Sequence, residues 1–178
     1  MALVAFGPWQ VGFWVVARGI AARAELPAEV TVRTSGEPAD DRRALVVAAA
    51  DGEGRVGWGA ILHDDGASVL LSWKDRLFAA MGARAVALEQ DGSFVAERLF
   101  PSPILGAWTV ADGLFLLGPD RVTRVDARLS TQWERPLEGD SFHVLSADEA
   151  RLSLVAMNSS GDWRPVELDA SSGETIAP

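Results

Sequence analysis

The chain has 178 residues, of which 48% are hydrophobic, with seven tryptophans, no cysteine and a formal net charge of −9. This composition is typical of one soluble globular domain, and it excludes disulfides, thiolate nucleophiles, iron–sulfur clusters and cysteine-based zinc sites. The basic residues, fifteen arginines and Lys74, are scattered among acids. The charge therefore argues against nucleic acid and anionic lipid as partners.

The N-terminal region is apolar. Between residues 2 and 17 Gln10 is the one strongly polar side chain, and Gly7-Pro8 interrupts the run. The run is shorter than the ~20 residues of a membrane-spanning helix, and no positive charge precedes it as in a secretory signal. It predicts two buried strands around a turn, no membrane span and a cytoplasmic protein. The alanine-rich segment 16–26, which stops before Pro27, predicts a short helix.

The rest of the chain predicts short β-strands. Asp-Gly pairs recur at Asp51, Asp65, Asp91 and Asp112, and such pairs favour tight hairpins. Between them, apolar residues alternate with period two, which is a strand signal. In chain order the predicted strands are 3–6, 9–16, 29–33, 44–50, 56–62, 68–73, 76–81, 84–89, 93–100, 104–110, 114–117, 121–126, 130–135, 141–145, 151–156, 163–169 and 174–177.

Three segments of the C-terminal half repeat one another. Their leading leucines are Leu77, Leu114 and Leu152, at separations of 37 and 38 residues (114 − 77 and 152 − 114). The following strand in each segment has an arginine, an apolar residue four positions later and then an acid; the sets are Arg84/Leu88/Glu89, Arg121/Val125/Asp126 and Arg164/Leu168/Asp169. A period near 40 residues with about four strands fits one blade of a β-propeller.

Two of these segments resemble blades of quinoprotein-like and WD40-like β-propellers. Residues 166–174 look like the strand and turn of a quinoprotein-type blade, and residues 122–133 look similar but lack the expected glycine between Leu129 and Gln132. The resemblance implies an all-β fold, a small β-propeller or propeller-like arc of short antiparallel sheets, with a β-sandwich as the alternative. We expect one domain, 1–178, with blade-like repeats near 44–75, 76–112, 113–150 and 151–178. Residues 1–43 would be closing strands or an irregular N-terminal unit.

Catalytic and metal-binding motifs are weak. His63-Asp64-Asp65-Gly66 places three possible ligands in a row, but an Asp-Asp-Gly turn explains it better. Ser141 and His143 lie two residues apart without a third group or a G-x-S-x-G turn. Adjacent acids such as Asp40/Asp41 are typical of solvated loops. We therefore predict no catalytic residue, metal or cofactor.

The tryptophans are the most informative side chains. Most are expected to fill space between blades, whereas Trp9, Phe13 and Trp14 lie outside the clear repeats and are predicted to bind a partner. The sequence thus favours a non-enzymatic protein-interaction scaffold with a protein partner. Two alternatives stay open: a small β hydrolase or lyase with a carboxylate and histidine cleft, and a carbohydrate-binding module.

Overall fold

The computed structural model describes residues 3–110 and 112–176, and over these ranges it contains sixteen β-strands and one 3-10 helix. The all-β prediction is therefore confirmed. The strands are β1 Leu3–Phe6, β2 Trp9–Val16, β3 Thr31–Ser35, β4 Ala44–Ala50, β5 Val56–His63, β6 Ser68–Trp73, β7 Arg76–Met81, β8 Arg84–Leu88, β9 Phe94–Leu99, β10 Gly106–Val110, β11 Gly113–Leu117, β12 Arg121–Val125, β13 Thr131–Pro136, β14 Ser141–Ala147, β15 Arg151–Met157 and β16 Trp163–Asp169.

The strands form four small sheets. Sheet I has the order β1-β2-β4-β5-β3, and sheets II (β6–β9), III (β10–β13) and IV (β14–β16) follow chain order. The pairings are antiparallel, as expected, except that β3 pairs with β5 in parallel. The reason is the 3-10 helix Gly19–Glu25 and the residues after it, which carry the chain from β2 to the far edge of the sheet before β3 begins. This helix replaces the predicted helix 16–26.

The chain divides into two compact units, residues 1–104 with sheets I and II and residues 105–178 with sheets III and IV. In the first unit, one apolar face of sheet I packs on sheet II, with Leu45, Leu62, Leu77 and Leu88 fully buried. The other face of sheet I is covered by the 3-10 helix region, since Ala22 and Leu26 pack on Val46 and Ile61. Both faces of sheet I are thus occupied.

In the second unit, sheets III and IV share one core. Phe115, Leu117 and Val122 from sheet III and Leu152, Leu154 and Leu168 from sheet IV are its buried members. Leu152 and Leu154 alternate along β15, so one face of sheet IV points into this core and the other points away from it.

The sequence repeats correspond to equivalent positions in the sheets. Segments 84–88, 121–125 and 163–169 each form the third strand of their sheet, paired antiparallel with the strand before. Each repeat leucine pairs with the apolar residue of its pattern, in the pairs Leu77/Leu88, Leu114/Val125 and Leu152/Leu168. The sheets begin one strand earlier than the predicted repeat frames, because the first strands have less similar sequences. Residues 3–35 contribute β1, β2 and β3 to sheet I.

A five-residue turn closes several hairpins. In the turns that start at Asp51, Asp126 and Asn158, the first side chain accepts the backbone N–H groups two and four residues later. The fourth residue has a positive φ, and it is Gly54 in the first turn but Leu129, with φ 60°, in the second. Leu129 is also buried. The missing glycine noted in the sequence is thus replaced by a leucine whose side chain joins the core.

The C-terminal segment differs from the prediction. Instead of a strand 174–177, the structure has an isolated bridge between Thr175 and Leu168, and residue 177 lies outside the described ranges. The 3-10 helix is the one helix in the described part of the chain, and it is too short and too polar to cross a membrane.

Candidate functional site

One tryptophan in each unit connects the two sheets of that unit. Trp58 of sheet I donates its indole N–H to the carbonyl of Gln90 in the β8–β9 turn, at 2.8 Å, and its ring lies against Gly92. Trp133 of sheet III donates to the carbonyl of Ala170 in the turn after β16, at 3.1 Å, and its ring lies against Gly173. Each ring therefore docks one sheet on the turn of its neighbour, which matches the expected space-filling role of the tryptophans.

Arg124 reinforces the second of these contacts. Its guanidinium, which is nine-tenths buried, donates to the same Ala170 carbonyl and to the carboxylate of Asp112. The two donors on one carbonyl fix the turn after β16 against sheet III.

The residues predicted to bind a partner lie on opposite faces of β2. Trp9 and Phe13 pack against the core between sheets I and II, and the Trp9 ring covers Gly57. Trp14 packs against the cluster beneath the 3-10 helix. All three side chains are half-buried. The structure therefore brings Trp9 and Phe13 together and separates Trp14 from them, and partner binding at these residues stays a prediction.

His63 is enclosed by backbone. Its side chain is 4% exposed, a Cβ added to Gly19 would lie 2.9 Å from Nδ1, and Nδ1 has no hydrogen-bond partner among the described residues. Burial, aided by the positive charge of Arg84, lowers the pKa of His63. A neutral, inaccessible imidazole does not suit acid–base work on a substrate. In the neighbouring turn the Asp64 carboxylate accepts backbone N–H groups of Asp65 and Ala83.

Most perturbed carboxylates belong to turns. The Arg55 backbone N–H lowers the pKa of Asp51, and the backbone N–H of Ala150 lowers that of Asp148. The Ser171 hydroxyl and the Ser172 backbone N–H hold the pKa of Asp169 at about 2. These groups are explained by hairpin geometry, and among the described residues no cluster of three potential metal ligands occurs.

The outer face of sheet IV, the side pointing away from sheet III, is unlike the other sheet faces. It carries Leu145, which is 66% exposed, and Trp163, which is 45% exposed. The strand registers place Trp163 on one side of the sheet together with His143, Val155, Met157 and Pro165. Leu145 has no partner in the register, and its exposure assigns it to this side. A contiguous exposed apolar group on a sheet face is typical of an interaction site.

The local structure explains why these side chains protrude. A bulge between Val144 and Ser146 inserts Leu145 as an extra residue, so its side chain is pushed out of the sheet. The Trp163 ring reaches across β15 to the His143 ring, with centroids 5.1 Å apart and planes tilted by 41°. At the opposite end of the face Arg151 and Glu167 form an ion pair of 3.3 Å. The face thus has an apolar region and, by the alternation along β16, the charged residues Arg151, Glu167 and Asp169.

Comparison between the repeats shows what is special about this face. At the position after the repeat leucine, sheets II and III have Phe78 and Phe115, both buried, whereas sheet IV has the half-buried Ser153. Phe115 belongs to the core that sheets III and IV share, and its ring lies 5.6 Å from that of Trp133. At this position sheet IV has only a small side chain, and larger side chains on the two flanking strands protrude beyond it.

A groove of about 780 Å³ lies on the opposite side of sheet IV, between the segment 135–140 and β16. Its lining mixes apolar and charged side chains, including Phe142, Glu138, Asp140, Arg135 and Arg164. Arg135 donates to the Thr175 hydroxyl, and Asn158 caps its own turn. None of these contacts is a hydrogen-bonded acid–base pair, so the groove provides no recognisable catalytic arrangement.

Solved structures of low sequence identity share this fold. BamB from Moraxella catarrhalis is 12% identical with a TM-score of 0.59, over 99% of this chain and 47% of BamB. The N-terminal domain of Nup159 is 12% identical with a TM-score of 0.52, over 97% and 50%. Apo AztD from Citrobacter koseri is 13% identical with a TM-score of 0.51, over 83% and 46%. All three are β-propellers, and the predicted propeller-like fold is confirmed.

The chain spans about half the length of each of these structures. No protein-family model and no curated protein sequence matches it. The likeness therefore establishes the fold alone.

The sequence did not reveal the outer face of sheet IV, and one further copy of the repeat was missed. Asp51 precedes Trp58 by seven residues, as Asp126 precedes Trp133, and this spacing would have extended the repeat into residues 1–75. The outer face has no comparable signal, because its residues lie on three strands and its protruding leucine depends on a bulge.

Proposed function

We propose that this protein is a non-enzymatic protein-interaction module and that a protein partner binds the outer face of sheet IV. The observation that carries the proposal is the exposure of Trp163, whose ring contacts the His143 ring on this face, together with the exposure of Leu145 at the bulge of β14. Rigid sheets fix these side chains, so little conformational entropy is lost on binding. Tryptophan is also enriched among the residues that dominate binding energy.

Other observations support the non-enzymatic part. The two residues best suited to acid–base chemistry are the histidines, and His63 is buried while His143 contacts an aromatic ring. The carboxylates with lowered pKa are explained by turns. The cytoplasmic location expected from the sequence is part of the same proposal.

Photo-crosslinking tests the interaction face. A photoreactive phenylalanine analogue replaces Trp163, and in separate variants it replaces Trp14 or Ile20, in cells that express the protein. Ile20 is a matched control because it is 60% exposed on the 3-10 helix. We expect a defined adduct from position 163 that Leu145→Glu abolishes, and none from position 20. Equal adducts from positions 163 and 20 would contradict the proposal, and an adduct from position 14 would support the partner site predicted from the sequence.

The carbohydrate-binding alternative receives less support. It needs several coplanar exposed tryptophans, whereas Trp163 is the one tryptophan more than a third exposed, all seven being in the described ranges. A tryptophan that quenches on titration with a glycan, and no longer quenches in Trp163→Phe, would favour this alternative instead.

A further inference from the structure

We infer that the groove beside β16 binds the carboxylate of a glutamate on an extended peptide, and that Arg164 is the residue that recognises it. Arg164 lines this groove, which lies on the side of sheet IV opposite the outer face. The site is therefore separate from the one in the proposed function. The counterparts of Arg164 in the other two repeat sheets point to this ligand.

Two of the three repeat arginines bind a glutamate on the fourth strand of their sheet. Arg84 of β8 pairs with Glu97 of β9 at 3.2 Å, and Arg121 of β12 pairs with Glu134 of β13 at 2.8 Å. In both sheets the glutamate lies opposite the residue two positions after the arginine. The fourth strand leaves both arginines partly covered. The repeat thus includes a contact between a guanidinium and a carboxylate.

Arg164 occupies the same repeat position without such a partner. It lies four residues before Leu168, as Arg84 lies four residues before Leu88. In the described part of the chain its side chain is exposed and makes no ion pair and no hydrogen bond. The free edge of β16 is paired there only from Glu167 onward, so residues 163–166 have no strand beside them.

The sequence has no glutamate at the corresponding position of the third repeat. In sheet III, Thr131 pairs with the apolar residue of the repeat, and Glu134 follows three positions later; sheet II has the same spacing. In sheet IV the residue paired in this way is Thr175. Three positions after it the sequence has Pro178, which has no carboxylate. We therefore expect the partner of Arg164 to belong to a second polypeptide.

The groove offers such a carboxylate more than one donor. Its volume of about 780 Å³ lies within the ~300–1,000 Å³ of ligand pockets. Arg135 lines it together with Arg164, and after donating to the Thr175 hydroxyl it keeps further guanidinium N–H groups. The acids of the groove, Glu138 and Asp140, form no ion pair with either arginine within the described ranges. Both guanidinium groups are thus available to an acidic ligand.

The edge of β16 favours recognition through a side chain. Pro165 faces the free edge, as the outward hydrogen bonds of Glu167 and Asp169 show by alternation, and it has no N–H to donate. Ala85 and Val122 have this N–H at the same repeat position. A segment beside residues 163–166 would therefore form fewer backbone hydrogen bonds than β9 or β13. The ion pair then provides most of the specificity, and we expect weak, reversible binding.

An NMR titration of the purified 178-residue chain tests the inference. The probe is a peptide with capped ends, Ala-Glu-Arg-Leu-Phe, which has the sequence of residues 96–100, and the matched control is its Glu97→Gln form. We expect the glutamate peptide to shift the side-chain Nε–H signal of Arg164, and the glutamine peptide to bind about threefold more weakly or worse. Equal affinities, or no shift with either peptide, would overturn the inference.

Two arginine variants separate recognition from general attraction. Arg164→Gln should weaken binding of the glutamate peptide about threefold or more, whereas Arg128→Gln should leave it unchanged. Arg128 is a matched control because it is exposed on the turn between β12 and β13, outside the groove. The amide spectrum shows whether each variant is folded. Equal weakening by both substitutions would contradict recognition by Arg164.

Inorganic phosphate distinguishes a peptide site from a simple anion site. We expect phosphate to shift the Arg164 signal with lower affinity than the glutamate peptide, because it cannot extend along β16. A higher affinity for phosphate would overturn the assignment of the ligand. These measurements concern the groove, so their failure would leave the proposed function to be decided by crosslinking on the outer face.

Discussion

At the residue scale, the backbone conformation of the turns determines which residue types they accept. The five-residue turn demands a positive φ at its fourth position, and glycine supplies it at Gly54 with φ 80°. Residues with a side chain pay for this conformation with about 1–2 kcal/mol. Leu129 adopts it and gains burial in exchange.

A glycine pair within one turn tests this strain. Gly54→Ala should lower the free energy of unfolding by about 1 kcal/mol because of the left-handed conformation. Gly52→Ala should leave it nearly unchanged, since Gly52 does not have a positive φ. Added Cβ atoms would meet no neighbour at either position. Urea denaturation measures both, and equal losses would contradict the role of φ.

The carboxylate of Asp169 makes stability depend on pH. Its pKa is about 2 in the folded protein against an ordinary value of 3.8, so this contribution is present above pH 4 and is lost as the pH falls toward 2. Asp169→Asn should fold normally, because an amide oxygen can accept the same backbone N–H groups of Ser171 and Ser172. Urea midpoints between pH 5 and pH 2 should fall less in this variant than in the natural protein. An identical pH dependence in both would show that the turn contributes nothing to it.

At the element scale, the fit between a ring and a turn decides how the sheets dock. Trp58 and Trp133 each contact a turn glycine of the neighbouring sheet, where a Cβ would come within 2.7 Å and 2.6 Å of the ring. Glycine is required at both positions, Gly92 and Gly173, because the backbone there has a positive φ and because the tryptophan ring leaves no room for a Cβ. The sequence predicted the strands, since their alternation is local. It could not predict the parallel pairing of β3 with β5 or the bulge at Leu145, because both depend on contacts between distant segments.

A second glycine comparison isolates the ring contact. Gly92 and Gly54 share a φ of 80°, but only Gly92 has a ring, that of Trp58, against its Cα. Gly92→Ala should therefore lose clearly more stability than Gly54→Ala, by about 1–3 kcal/mol for the added overpacking. The excess should shrink when Trp58→Ala is the background, since the ring is then absent. A double-mutant cycle in urea gives this coupling, and additivity would contradict direct contact.

At the scale of the whole molecule, sequence repeats predicted the fold class but not its site. The repeated leucines mark a position that is buried in each repeat sheet. Because a buried position needs a neighbour to cover it, these leucines indicate a fold of stacked sheets. The candidate site arises where one sheet departs from the repeat, at Ser153 and Leu145. Trp9, Phe13 and Trp14 stood out in the sequence because their segment is apolar, yet a half-buried packing role suffices for them in the structure.

The turn from Asp51 to Arg55 also makes the protein useful as a carrier. Its hydrogen bonds close within the turn itself, its glycines face open space, and its tip is exposed. Lengthening such a loop adds only a small entropic penalty, which grows with the logarithm of its length. A foreign peptide grafted between Gly52 and Glu53 would thus be displayed on a rigid hairpin, as an epitope tag or reporter, without disturbing the strands on either side.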